Sequence, residues 1–289
     1  MGSLSNSRPP GFLRQARDAI VSILFPAPCR LCDGLLDTAS RVPICETCLA
    51  SLAPPKGPQP GPMCAVCGRV LFSPQVAGAA VVLCRLCLRQ TYGFDRARSY
   101  AAYDGAMVRA ITLLKYEPIA PLGAWFAARL AEMLRAEFKE LSLDIVVPVP
   151  LHPARQRQRG YNQAELIARP LARQLGLPFR SALLVRTKPR PDKLKLSLHE
   201  RWETVRGAFA ARPGSRVDNL RVLLVDDVMT TGATLDACAR ALRGAGASQV
   251  FGVTAARVSQ SRQAAPEPVI QRAKGLRATG ARPDKGSGP

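Results

Sequence analysis

The stretch Val222-Leu-Leu-Val-Asp-Asp-Val-Met-Thr-Thr-Gly-Ala-Thr234 decides the fold. Residues 222–225 are an unbroken apolar run and read as a strand buried on both faces. Two adjacent carboxylates follow, Asp226 and Asp227, then a loop of small and hydroxylated residues. A helix over 234–244 comes next, closed by Gly244 and Gly246. Backbone N–H groups at a helix start, with the dipole behind them, make an anion site. Gly232 permits close backbone approach, and Thr230, Thr231 and Thr234 add hydroxyl donors. A phosphate suits this loop. Two acids beside it repel that phosphate unless they meet sugar hydroxyls or a magnesium ion. Phosphate joined to a ribose diol satisfies both requirements in one ligand type.

Working outward, strands are expected over 97–103, 145–149, 179–185 and 249–255. Helices are expected over 106–115, 122–141, 162–175 (bent at Pro170) and 199–205, with a basic, proline-containing loop over 186–196. Apolar strands alternating with helices predict an α/β fold, a parallel sheet covered on both faces. Ligands of such sheets bind at the C-terminal ends of the strands, here from Pro148 and from Asp226 onward.

Upstream, eight of the nine cysteines form four C-x-x-C pairs: Cys29/Cys32, Cys45/Cys48, Cys64/Cys67 and Cys84/Cys87. Two such turns close one tetrahedral tetrathiolate site, so four pairs predict two structural zinc ions with no open coordination position. Twelve residues separate the first two pairs and sixteen the last two. The simplest assignment joins pair one with two and three with four; a cross-braced arrangement, one with three and two with four, is the alternative. Thiolate metal sites point to a reducing, cytoplasmic compartment. Cys238 stands alone in an apolar helix and reads as a buried structural residue.

The expected organisation is a disordered start and short amphipathic helix over 1–27, a double zinc ribbon over 28–92, the α/β domain over 93–258, and a basic disordered tail over 259–289. The proline-rich stretch 54–62 reads as a hinge between the two metal modules. No run is long enough to span a bilayer. The 289-residue chain carries 41 Lys and Arg against 21 Asp and Glu, net +20. That field attracts polyanions, nucleic acid or polyphosphates alike. Between Pro150 and Arg206 alone, 13 basic residues face 4 acidic ones, surroundings that suit a pyrophosphate.

These parts together resemble a known family. The 222–234 segment looks like the signature of type I phosphoribosyltransferases, and the order of parts resembles the ComF family of competence-associated proteins. The likeness rests on the zinc ribbons, on Leu114-Lys115-Tyr116, on Val147-Pro-Val-Pro-Leu-His152 leading to Arg159-Gly-Tyr-Asn-Gln163, and on the aspartate–threonine loop. The resemblance implies 5-phosphoribosyl-1-pyrophosphate with magnesium as ligand. Asp226 and Asp227 would then hold the ribose hydroxyls, while Met229, Thr230, Thr231, Gly232, Ala233 and Thr234 wrap the 5′-phosphate. Val149, Pro150 and Leu151 would form the turn at the pyrophosphate. Lys115, Arg155 and Arg159 would supply countercharge, and Arg201 would contact the ligand from a mobile cover. Asp226, Asp227, Lys115 and Arg159 are the catalytic candidates. The sequence departs from the family pattern at Lys193 and Thr204, where Gln and Asn are usual. The implied cellular role is DNA uptake or processing, with single-stranded DNA and a helicase as partners. A non-catalytic ligand sensor or DNA-binding accessory is the alternative, and a homo-oligomer is compatible with either.

Overall fold

Successive side chains of a strand point to opposite faces of its sheet, and that alternation organises this chain into two hydrophobic clusters. The computed structural model describes residues 28–36, 42–54, 61–71, 81–89, 92–189, 198–258 and 270–271. The central parallel sheet has the order β2-β7-β6-β3, formed by β2 (Arg96–Ala102), β7 (Gln249–Arg257), β6 (Arg221–Met229) and β3 (Ile145–Pro148). Val222 and Leu224 join one cluster with Ile145, Val147 and Val250, covered by α8 (Ala233–Gly244) through Leu235, Cys238, Ala239 and Leu242. Leu223 and Val225 join the other with Val146, Phe251 and Val253. That second face is covered by α3 (Gly105–Tyr116), α4 (Ala120–Glu137) and α6 (Gln163–Leu175).

Pro170 lies inside α6, so the carbonyl of Leu166, four residues earlier, loses its helical donor. Gly123 of α4 packs on that carbonyl: a Cβ there would come within 2.5 Å of Leu166 O. The helix therefore continues past the proline, and the freed carbonyl faces a close helix–helix contact.

The two cysteine modules cover different faces. Cys29, Leu31, Ile44 and Leu52 belong to the α3–α4–α6 cluster, with α1 (Glu46–Ser51) against α3. Cys64, Cys67, Leu71, Val82 and Cys84 belong to the α8 cluster, around β1 (Val82–Leu83) and α2 (Arg85–Arg89). β1 pairs antiparallel with β8 (Ile270–Gln271).

Several elements differ from the sequence reading. Residues 153–159, to which the sequence reading assigns no helix or strand, form α5 (Pro153–Arg159); His152 caps it, accepting from Ala154 N at Nδ1, and Pro153 starts it. The expected strand 179–185 is a single bridge at Phe179 followed by β4 (Leu184–Arg186), which makes a hairpin with β5 (Phe209–Ala211). The strand expected over 222–225 runs on to Met229, because β7 supplies ladder partners that far. The cover helix is α7 (Leu198–Val205). The amphipathic helix before Pro28 and most of the 186–196 loop (190–196) lie outside the described residues.

Candidate functional site

Asp226 and Asp227 stand on β6 near its C-terminal end, both buried, at 8% and 5% exposure. Asp226 Oδ1 accepts from Asp227 N at 2.8 Å, and Asp227 Oδ1 accepts from Val228 N at 2.9 Å. Lys115, in the last turn of α3, brings its ammonium to 2.9 Å from Asp227 Oδ2. That buried Oδ2 accepts no aligned hydrogen bond among the described residues; its compensation is the ion pair.

The charges sort accordingly. Burial is the largest influence on Asp226 and, together with the neighbouring Asp227 charge, pushes its pKa well above the ordinary carboxylate range. Burial acts on Asp227 in the same direction but is outweighed by Lys115, so its pKa lies below that range. Lys115 is opposed most strongly by burial, yet the Asp227 carboxylate raises its pKa above the lysine norm. Its ammonium also sits 5.9 Å from the centre of the Tyr103 ring.

The loop after β6 turns at Gly232, in the left-handed conformation with φ +87°. A side chain there is excluded twice, by the backbone and by space, since a Cβ would come within 2.8 Å of Met229 Cε and 3.3 Å of Tyr92 Cε1. Thr231 Oγ1 accepts from Ala233 N at 3.2 Å, and Thr231 O accepts from the Tyr92 hydroxyl at 2.9 Å. The loop is thus fixed at the start of α8, an end at which helix N–H groups lack carbonyl partners from a preceding turn.

β3 lies beside β6, with Pro148 paired to Val225. The turn of Val149, Pro150 and Leu151 therefore emerges next to the aspartates. Val149 N donates to Val225 O, and Val149 O accepts from Asn162 Nδ2 at 3.0 Å, while Asn162 Oδ1 caps α6. Arg159, in the last turn of α5, donates to Gln163 Oε1 at 2.6 Å and lies over the Tyr116 ring. Burial first, and the Arg155 charge second, lower its pKa; two like charges are held near each other, an arrangement an anion relieves. Tyr161 donates to Leu114 O. The structure thus collects Asp226, Asp227, Lys115, Arg159, the 149–151 turn and the 229–234 loop at one sheet edge. Arg201 lies in α7, its side chain outside the described residues. Tyr92 and Arg257 carry no motif signal; only the tertiary fold brings them to the loop.

The sulfurs of Cys29, Cys32, Cys45 and Cys48 lie within 4.8 Å of one another, as do those of Cys64, Cys67, Cys84 and Cys87. This joins pair one with two and three with four. Zinc–sulfur bonds of about 2.3 Å give a tetrahedron with edges of about 3.8 Å. Cys32 and Cys45 sulfurs stand 3.8 Å apart, Cys67 and Cys84 3.7 Å. Leu31 N and Cys45 N point at Cys29 Sγ, and Cys84 N at Cys64 Sγ. Both groups fit zinc and are closed by protein ligands. Among the described residues no helix is long and apolar enough to cross a membrane.

Comparison with known proteins agrees with this architecture. Residues 162–271 match the family model described as phosphoribosyl transferase domain. The chain is 31% identical over 175 residues to Competence protein F of Haemophilus influenzae, covering 58% of this chain and 75% of that protein. It is 31% identical over 202 residues to the DNA utilization protein YhgH of Escherichia coli K12, covering 65% and 88% respectively. It is 28% identical over 188 residues to Competence protein ComFC of Bacillus subtilis, covering 63% and 72%. With two tetrathiolate modules preceding a phosphoribosyltransferase-type sheet, and relatives of this identity and coverage, the chain belongs to the ComF family of competence proteins.

Proposed function

We propose that this protein binds 5-phosphoribosyl-1-pyrophosphate and transfers its phosphoribosyl group, in a pathway of DNA uptake or processing. One observation carries the reading: a buried carboxylate pair at the end of β6 leads directly into the Gly232 turn that starts α8. Phosphate at the helix start and ribose hydroxyls on Asp226 and Asp227 use every feature of that edge. Buried carboxylate oxygens together with a bound pyrophosphate suit magnesium, whose charge would stabilise the departing pyrophosphate. The neighbouring turn of Val149, Pro150 and Leu151 receives the pyrophosphate, and Arg155 and Arg159 neutralise it as the C1–oxygen bond breaks. Lys115 keeps Asp227 ionised and fixed, so its oxygens are acceptors for ribose throughout. An acceptor nucleophile then bonds to C1 and releases its proton to solvent.

The test is calorimetric titration of the zinc-loaded full chain with phosphoribosyl pyrophosphate and magnesium, beside an Asp226→Asn/Asp227→Asn variant. Binding by the wild type that is lost in the variant supports the reading; a folded wild type that gives no binding refutes it. A second reading, a DNA-binding accessory role, is favoured by the net charge of +20 and by relatives named for competence and DNA utilization. It predicts a salt-sensitive complex with single-stranded DNA that survives loss of both aspartates.

A further inference from the structure

Arg257, the last residue of β7, is buried at 8% exposure, and among the described residues no carboxylate pairs with it. A buried guanidinium without an anion is strongly unfavourable. Its contacts lie elsewhere. Nη1 donates to Cys67 O at 2.6 Å and stands 3.3 Å from Met229 Sδ, and Nη2 stands 3.7 Å from Cys67 Sγ. Cys67 belongs to the second tetrathiolate group. One divalent ion held by four thiolates leaves a net charge of about −2, and Arg257 is placed to meet it.

The same guanidinium holds the first residue of the phosphate loop. Met229 pairs with Arg257 across the β6–β7 ladder, and Met229 O accepts from Val258 N at 3.0 Å. The Met229 methyl fills the space under Gly232. Tyr92, five residues beyond Cys87, supports the other side of that glycine and holds Thr231 O. The second ribbon is also fastened to the sheet by Ala97 N donating to Val66 O at 2.7 Å and by the Arg98 guanidinium reaching Ala65 O.

We propose that Arg257 is a positioning residue: it is the countercharge of the second zinc–thiolate centre and, through Met229, couples that centre to the shape of the phosphate loop. The coupling half rests on the phosphoribosyl pyrophosphate reading above; the countercharge half does not. By reciprocity, ligand in the loop retains zinc in the second ribbon, and zinc there strengthens ligand binding.

The experiment follows zinc release from the full chain into a colorimetric chelator, with and without phosphoribosyl pyrophosphate and magnesium, for wild type, Arg257→Gln and Arg257→Lys. Cadmium NMR of the cadmium-loaded proteins identifies which centre responds. Loss of an outer partner of this kind weakens metal retention by about 10-fold or more. The expected result is about 10-fold faster release of one of two ions in Arg257→Gln, a single shifted cadmium resonance, and partial rescue by Arg257→Lys. Ligand slows that release in wild type and not in Arg257→Gln. Unchanged release in both variants, or equal changes at both centres, overturns the countercharge role. A wild type that binds the ligand by calorimetry without slowing zinc release overturns the coupling, and that arm needs no variant to fold. A wild type that binds no ligand refutes the functional reading instead and leaves the countercharge to be judged on zinc release alone.

Discussion

Replacing Asp226 with Asn separates stability from function at the proposed ribose site. Asp226 is buried beside a second carboxylate, and its pKa is pushed well above the ordinary range, first by burial and then by Asp227. Asn keeps the Oδ1 acceptor that Asp227 N uses and removes the charge. Two like charges about 4–6 Å apart repel by about 3–4 kcal/mol at an effective dielectric of about 20, and the Asp227 charge is, after burial, the largest influence on Asp226. Lys115 also attracts Asp226, as the weakest of the influences on it, so the same substitution gives back part of that gain. The variant is therefore expected to gain about 1–2 kcal/mol at pH values above the folded pKa of Asp226, raising the thermal midpoint by about 2–8 °C. Because the folded pKa exceeds the unfolded value of about 4, the folded wild type binds the extra proton between the two. Wild-type stability then rises as pH falls through the folded pKa, and the advantage of Asn shrinks in that window. Ligand affinity moves the other way: a lost hydrogen bond is worth about 0.5–1.5 kcal/mol, so phosphoribosyl pyrophosphate binds about 2- to 10-fold more weakly. Calorimetric melting at several pH values and isothermal titration measure both. A variant less stable than wild type at every pH, a pH-independent difference, or unchanged affinity refutes the reasoning.

Lys115→Met strands the buried Asp227 charge, and breaking a buried pair from one side costs about 3–5 kcal/mol; urea unfolding at neutral pH reads this, and an added Asp227→Asn substitution should recover most of it. The Lys115–Asp227 contribution is present above the ordinary carboxylate pKa and disappears as acid protonates Asp227 below its depressed folded value, so Lys115→Met should match wild type in stability only at strongly acidic pH. Gly232→Ala forces a side chain to φ +87° against Met229 and Tyr92; left-handed strain of about 1–2 kcal/mol should weaken ligand binding about 10-fold by titration while far-ultraviolet dichroism is unchanged. Cys64→Ser, at a sulfur buried in the α8 cluster, should release one zinc per chain and lower the thermal midpoint, and elemental analysis should find the other ion retained.

Much of the candidate site's geometry was legible because it is local. The 222–234 run carries strand, acids, turn glycine and helix start in contiguous residues, so burial and backbone geometry follow from their order. The four C-x-x-C pairs announce thiolate sites because each turn already sets two ligands at metal spacing. Less local features were misread or left open. The 153–159 helix was missed because its basic residues show no apolar period, and a His–Pro start was the signal available. The pairing of the cysteine turns depends on chain paths between them, which spacing alone does not choose.

What the sequence determined by itself was therefore the parallel α/β fold, the two metal modules and the aspartate–threonine edge, since each is written within a few turns of chain. Only the tertiary structure decided that Lys115, from a different helix, ionises Asp227 while Asp226 is driven toward its neutral form. It also decided that each ribbon packs on a different face of the sheet, and that Tyr92 and Arg257 tie the second one to the 229–234 loop. Charge balance and contact in a buried interior depend on what distant segments bring to the same place, and no local pattern carries that information.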